Sequence, residues 1–107
     1  MNTVEVLRAA RALIKKGWCQ GAWAFNKKKE SRAPGSTDAI CFCLDAAIWR
    51  TDCSVWQHTI AVRKICKTIG LEPYPRLLRD WNDAPERTQA EVLKALDDTI
   101  ARLEVAA

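Results

Sequence analysis

The eight residues Trp81-Asn82-Asp83-Ala84-Pro85-Glu86-Arg87-Thr88 bring together an indole, an amide, carboxylates and a guanidinium. A flat ring, an amide able to donate and accept, and a fixed cation suit a planar anionic molecule such as a nucleotide. Trp18 and Gln20, far earlier in the chain, offer a second ring and a second amide. Trp18, Gln20, Trp81, Asn82 and Arg87 therefore form a candidate site for a small anionic ligand. Packing explains the same residues more plainly. In that reading the two indoles join helix ends, Asn82 and Asp83 cap a helix, and Gln20 satisfies a turn.

Other chemistries leave weaker marks. Cys41, Cys43, Cys53 and His58 lie close in sequence, as zinc ligands do. On a helix, however, Cys41 and Cys43 would point about 200° apart at 3.6 residues per turn. Cysteines acting as small core residues are the expected alternative, with no metal bound. His58 is the one histidine, and the sequence shows no nucleophile elbow, phosphate-binding glycine loop or helical zinc motif around it. The expectation is a non-catalytic protein with no cofactor. Charge is lopsided: residues 1–35 carry 8 basic and 2 acidic side chains, while the whole chain has 17 and 13. Arg8, Arg11, Lys15 and Lys16 recur along the first helical stretch, and Lys27, Lys28, Lys29 and Arg32 follow in a polar loop. The second cluster is the candidate polyanion contact, and a nucleic-acid-associated protein is the alternative reading.

The elements that must position these groups read as helices. Val4, Leu7, Ala10, Leu13 and Ile14 recur at helical spacing over residues 3–16, opened by Asn2 with Glu5 and closed before Gly17. Residues 18–25 read as an irregular segment or one helical turn, and 26–38 as an exposed basic loop, the most mobile part. A second helix is expected over 39–50, capped by Thr37 or Asp38. Ser54 with Gln57 opens a third over 54–69, with Val55, Ile60, Val62, Ile65, Cys66 and Ile69 inward. Arg76 to Arg79 reads as one short turn. The last helix is expected over 84–104, with Asp83 as N-cap, Glu86 closing a capping box and Pro85 in the first turn. Arg87 would then sit where a cation opposes the helix dipole, so its loss should leave stability nearly unchanged.

With 107 residues, 49% hydrophobic and 28% charged, the chain is expected to form one compact all-α domain of about four helices over 1–107. Five Trp against two Phe and one Tyr lead one to expect large rings to dominate the core. No apolar run reaches the ~20 residues that span a bilayer. Met1-Asn2-Thr3-Val4-Glu5 does not read as a secretion signal, and five cysteines are an odd number. Reduced thiols in a cytoplasm are the expectation.

Three stretches carry a resemblance: Gly17-Trp18-Cys19-Gln20-Gly21-Ala22, Asp38 to Ala47, and Trp81 to Thr88 leading into Glu91-Val92-Leu93. Together they resemble a family of small uncharacterised proteins of bacteria and their phages, a domain of unknown function. The resemblance covers nearly the whole chain, though members tend to carry a small residue, often Gly, where this chain has Asp45 and Glu86. It implies a helical fold and a bacterial cytoplasm, or a host cytoplasm for a phage protein. It implies no activity. The resulting expectation is a binding module, such as a phage accessory or counter-defence factor, for a nucleotide-like ligand or a host protein.

Overall fold

A computed structural model describes residues 1–106. Among these, five helices alternate with a small sheet: α1 (Thr3–Lys16), β1 (Ala24–Phe25), β2 (Ser31–Arg32), β3 (Cys41–Phe42), α2 (Leu44–Arg50), α3 (Val55–Ile69), α4 (Pro75–Asp83) and α5 (Gln89–Ala106). The protein is mostly helical, but it is neither all-α nor four-helical.

Two helix starts follow the local chemistry that the sequence advertises. The Asn2 side chain accepts from the Glu5 backbone at α1, and Ser54 and Gln57 form a reciprocal capping box at α3. α1 stops at Gly17, whose backbone is extended, so the glycine is not there for a left-handed turn. It is there for proximity, since a Cβ at this position would lie 2.4 Å from the Ile40 carbonyl oxygen. Gly70 does end α3 in the left-handed region, at φ 77°.

The expected helix over 39–50 begins five residues late. Ile40, Phe42 and Cys43 donate their backbone N–H groups to Phe25, Gly17 and Trp23 carbonyls at 2.9, 3.0 and 2.9 Å. Extended pairing thus supplies long-range acceptors that a helix would forgo, and residues 41–42 become β3. Cys43 then caps α2, its sulfur accepting from the Ala46 N–H at 3.4 Å. The sheet order is β2-β1-β3, antiparallel throughout, with Ala24 opposite both Arg32 and Phe42.

The basic loop is likewise structured. Asn26 is buried; its Oδ1 accepts from the Lys28 and Glu30 N–H groups and its Nδ2 donates to Glu30 and Asp38. Asp38, expected as a helix cap, instead gathers Asn26, Ser36 and Arg32. Hydrogen bonds from Asn26 and Ser36, with Arg32 beside them, hold its carboxyl well below the ordinary carboxylate range.

The expected last helix over 84–104 also divides differently. Residues 75–83 form α4, which makes Asp83 a final helical residue rather than an N-cap. The cap of α5 is Thr88: its hydroxyl receives the Glu91 N–H at 3.2 Å, and the Glu91 carboxylate receives the Thr88 N–H at 3.0 Å. Two capping boxes were thus written in this stretch, and the second one is used. α5 runs antiparallel to α1, joined by Arg8–Glu104 and Arg11–Asp97 ion pairs.

The core consists of aliphatic side chains from α1, α2, α3, α4 and α5, with Leu7, Ile14, Leu44, Ile48, Ile65, Leu78 and Leu96 fully buried. Phe42 is its aromatic member, and the five tryptophans stay outside the fully buried set. Indoles are large and carry an N–H that needs a partner, which places them at the rim of a core this small. Among the described residues no helix is long and apolar enough to cross a membrane.

Candidate functional site

Asn82 stands at the centre of the Trp81 stretch and is completely buried. The last turn of α4 presents its side chain to the chain segment that follows α1. Its Oδ1 receives the Trp18 indole N–H at 2.8 Å and the Leu44 N–H at 3.0 Å. Its Nδ2 donates to the Cys19 carbonyl at 3.1 Å and to Asp83 at 2.9 Å. Gln20 reaches the carbonyls of Asn82 and Ala84 at 3.0 and 2.8 Å, and Asp83 receives the Gly21 N–H at 3.1 Å. One amide therefore ties α4 to the N-terminus of α2 and to the segment 18–21.

Arg87 lies in the turn before α5, not in its first turn. Its guanidinium sits 4.0 Å over the Trp81 ring, donates to the Trp81 carbonyl at 2.9 Å and meets Glu91 at 3.0 Å. The five candidate residues thus form two groups, Trp18–Gln20–Asn82 and Trp81–Arg87, and each group closes on itself. The hollow beside Trp81, about 200 Å³, is lined by Thr68, Ile69, Glu91, Lys94, Ala95 and Asp98, and by none of the other four. A larger cleft of about 370 Å³ opens on the other side of α4. Trp23, Arg32 and Arg79 line it together with Asp80 and Asp83, so its charge is mixed.

A second constellation joins three helices through residues far apart in sequence. Asp45, buried on α2, lies 2.6 Å from His58 Nε2 of α3 and 3.2 Å from Arg79 of α4. Trp49 stacks on the His58 ring with centroids 3.7 Å apart and planes 12° from parallel. A buried carboxylate is costly unless it is paired, and here a histidine and an arginine from two other helices pair it. This is an electrostatic clamp on three helices. The available signals were the Asp45–Trp49 spacing, a lone histidine, and an acidic residue where relatives tend to carry a small one. Nothing local brings Arg79, 34 residues from Asp45, to them.

Cys43 and Cys66 are buried in the core, as expected of small core residues, but Cys41 and Cys43 lie outside the helix expected to carry them. Cys41 lies in β3 and Cys43 just beyond it, so the helical argument about their directions does not apply; in extended chain, alternate residues share a side. All five are free thiols. Burial raises the Cys43 thiol to about 11 and also pushes up Cys19 and Cys66, and neighbouring Cys41 reinforces the shift at Cys19. Among the described residues no group of three or more His, Cys, Asp or Glu side chains could hold a metal ion.

The basic third of the chain is partly neutralised. Arg8 and Arg11 pair with Glu104 and Asp97, and Arg32 with Asp38 and Glu30. Lys27, Lys28 and Lys29 are exposed at the hairpin tip. A hollow of about 510 Å³ there is lined by Lys27, Lys28 and Arg32, but also by Glu30 and Asp38.

The family assignment rests on the whole chain rather than on any one of these clusters. A family model, described as a family of unknown function (DUF6197), matches residues 1–102. The chain belongs to that family. The match runs from the capped start of α1 through most of α5. Comparison with curated proteins and with solved structures gives no match.

Proposed function

We propose that this chain is a non-catalytic binding module whose ligand is a partner protein. The observation that carries this reading is a contrast between interior and surface. Asn82, Asp83 and Arg87 of the Trp81 stretch bond to side chains and backbone within the fold, and no buried polar side-chain atom among the described residues lacks a partner. Meanwhile Trp23, Trp56 and Tyr74 expose their rings to solvent. Exposed aromatic side chains are the usual anchors of protein interfaces. The family resemblance adds a bacterial or phage cytoplasm as the setting, with a host protein as partner and an accessory or counter-defence role.

A small anionic, nucleotide-like ligand ranks second, because Asn82 and Gln20 are engaged within the fold and Arg87 is covered by Trp81 and Glu91. Nucleic acid ranks third, since carboxylates offset all three arginines of the basic third. The test compares affinity capture by the full chain with capture by Trp23→Ser, Trp56→Ser and Tyr74→Ser variants. A stoichiometric protein lost with at least one variant is the expected result. A nucleotide that raises the melting temperature, worth about 2.7 kcal/mol at 100 times its dissociation constant, would overturn it.

A further inference from the structure

The outward face of α3 departs from the pattern of the other helices. Trp56, Ile60, Arg63 and Lys67 are all exposed, and their spacing of four, three and four places them in one stripe. Trp56 is 76% exposed and Ile60 37%, whereas the sequence pattern had Ile60 facing inward. The periodic apolar positions outnumber those the core can cover, so Val55 and Ile60 are left outside with Trp56.

The charge on this face is of one sign. The sequence of α3 contains no Asp or Glu. Arg63, Lys64 and Lys67 have no ion-pair partner among the described residues. Just past Lys67 a hollow of about 140 Å³ lies between α3 and α5, lined by Lys64, Lys67, Thr68, Thr99 and Arg102 and by no carboxylate. A basic residue in a last turn complements the helix dipole, which accounts for Lys67. It does not account for Arg63 in mid-helix or for an indole left in water at the other end.

We infer that this face of α3 docks an amphipathic segment of a partner protein, apolar side chains against Trp56 and Ile60 and carboxylates against Arg63 and Lys67. The inference rests on the protein-partner reading above and names its surface. From Trp56 to Lys67 the stripe is about 17 Å long at 1.5 Å per residue, which three turns of a partner helix or about five extended residues would cover. Charge complementarity selects an acidic segment, and the apolar half selects against a phosphate chain, which would lay charge along Ile60. Truncation of a central indole anchor removes much of the affinity of such an interface, and the cations set its salt dependence.

The experiment is selection of peptides from a randomised display library against the full-length protein, followed by affinity measurement of the enriched peptides. Enriched sequences should combine Asp or Glu with large apolar residues. Trp56→Ala should weaken their binding at least tenfold, and Arg63→Glu with Lys67→Glu should do the same while flattening the salt dependence. Circular dichroism and melting of these surface variants should match the parent. Peptides that lose binding with Trp23→Ser but not with Trp56→Ala would overturn the inference and leave the protein-partner reading in place. No enrichment on any surface would overturn both. Single-stranded RNA binding abolished by the double charge reversal would reassign the face to nucleic acid.

Discussion

Asn82 and Arg87 are neighbours in sequence, yet they stabilise the fold in different ways. Asn82 uses both ends of a buried amide, so truncation would strand the Leu44 N–H, the Trp18 indole N–H and the Cys19 carbonyl in an apolar setting. Arg87 acts from the rim, with its guanidinium stacked on Trp81 and bonded to a carbonyl and a carboxylate. A cation on an indole contributes about 0.5–1 kcal/mol at an exposed site, and hydrogen bonds to a charged group about 1.5–3 kcal/mol. Arg87→Ala is therefore expected to destabilise the protein by about 1–3 kcal/mol, read as a fall in the urea midpoint. This reverses the expectation drawn from the sequence, which placed Arg87 in the first turn of a helix. A variant as stable as the parent would show that the stacked geometry contributes nothing in solution.

Among the elements, α5 depends on Thr88 for its start, whereas Asp83 closes α4 and holds the Gly21 backbone. Thr88→Ala should cost about 1 kcal/mol, the usual value of an N-cap. It should also speed hydrogen exchange of the first-turn amides of α5. Asp83→Ala should instead loosen the segment 18–21, with exchange increasing at Gly21 and not at Glu91. The opposite pattern would restore Asp83 as the cap. The same competition between local and distant partners explains β3. A helix over 39–50 satisfies local periodicity, but pairing with Phe25, Gly17 and Trp23 satisfies the backbone and brings Phe42 into the core.

Across the whole molecule, Asp45 links three helices through His58 and Arg79. Removing one partner of a buried pair typically costs about 3–5 kcal/mol, because the other charge or hydrogen bond is left unmet. Asp45→Ala should reach the lower part of that range, since Arg79 keeps a solvated side. His58→Ala and the double variant should show coupling, with the double loss smaller than the sum of the single losses. Strict additivity in chemical denaturation would mean that the clamp is a set of independent contacts.

α1 and the start of α3 could be read from residues two to four apart, since Asn2 with Glu5 and Ser54 with Gln57 settle their own geometry within one turn. Family membership was legible too, and the family model matches residues 1–102. The candidate cluster of Trp18, Gln20, Asn82 and Arg87 was also legible as a set of residue types. Whether that was packing or an open cavity was not, because the partners of Asn82 lie on segments 38 to 64 residues away. Chain folding alone brings such groups within hydrogen-bond distance. The sheet and the Asp45–His58–Arg79 clamp share that origin, and so does the Asp83–Gly21 contact that withdraws Asp83 from capping and leaves the local Thr88–Glu91 box to start α5. In each, polar groups far apart in sequence satisfy one another, which local periodicity alone does not specify.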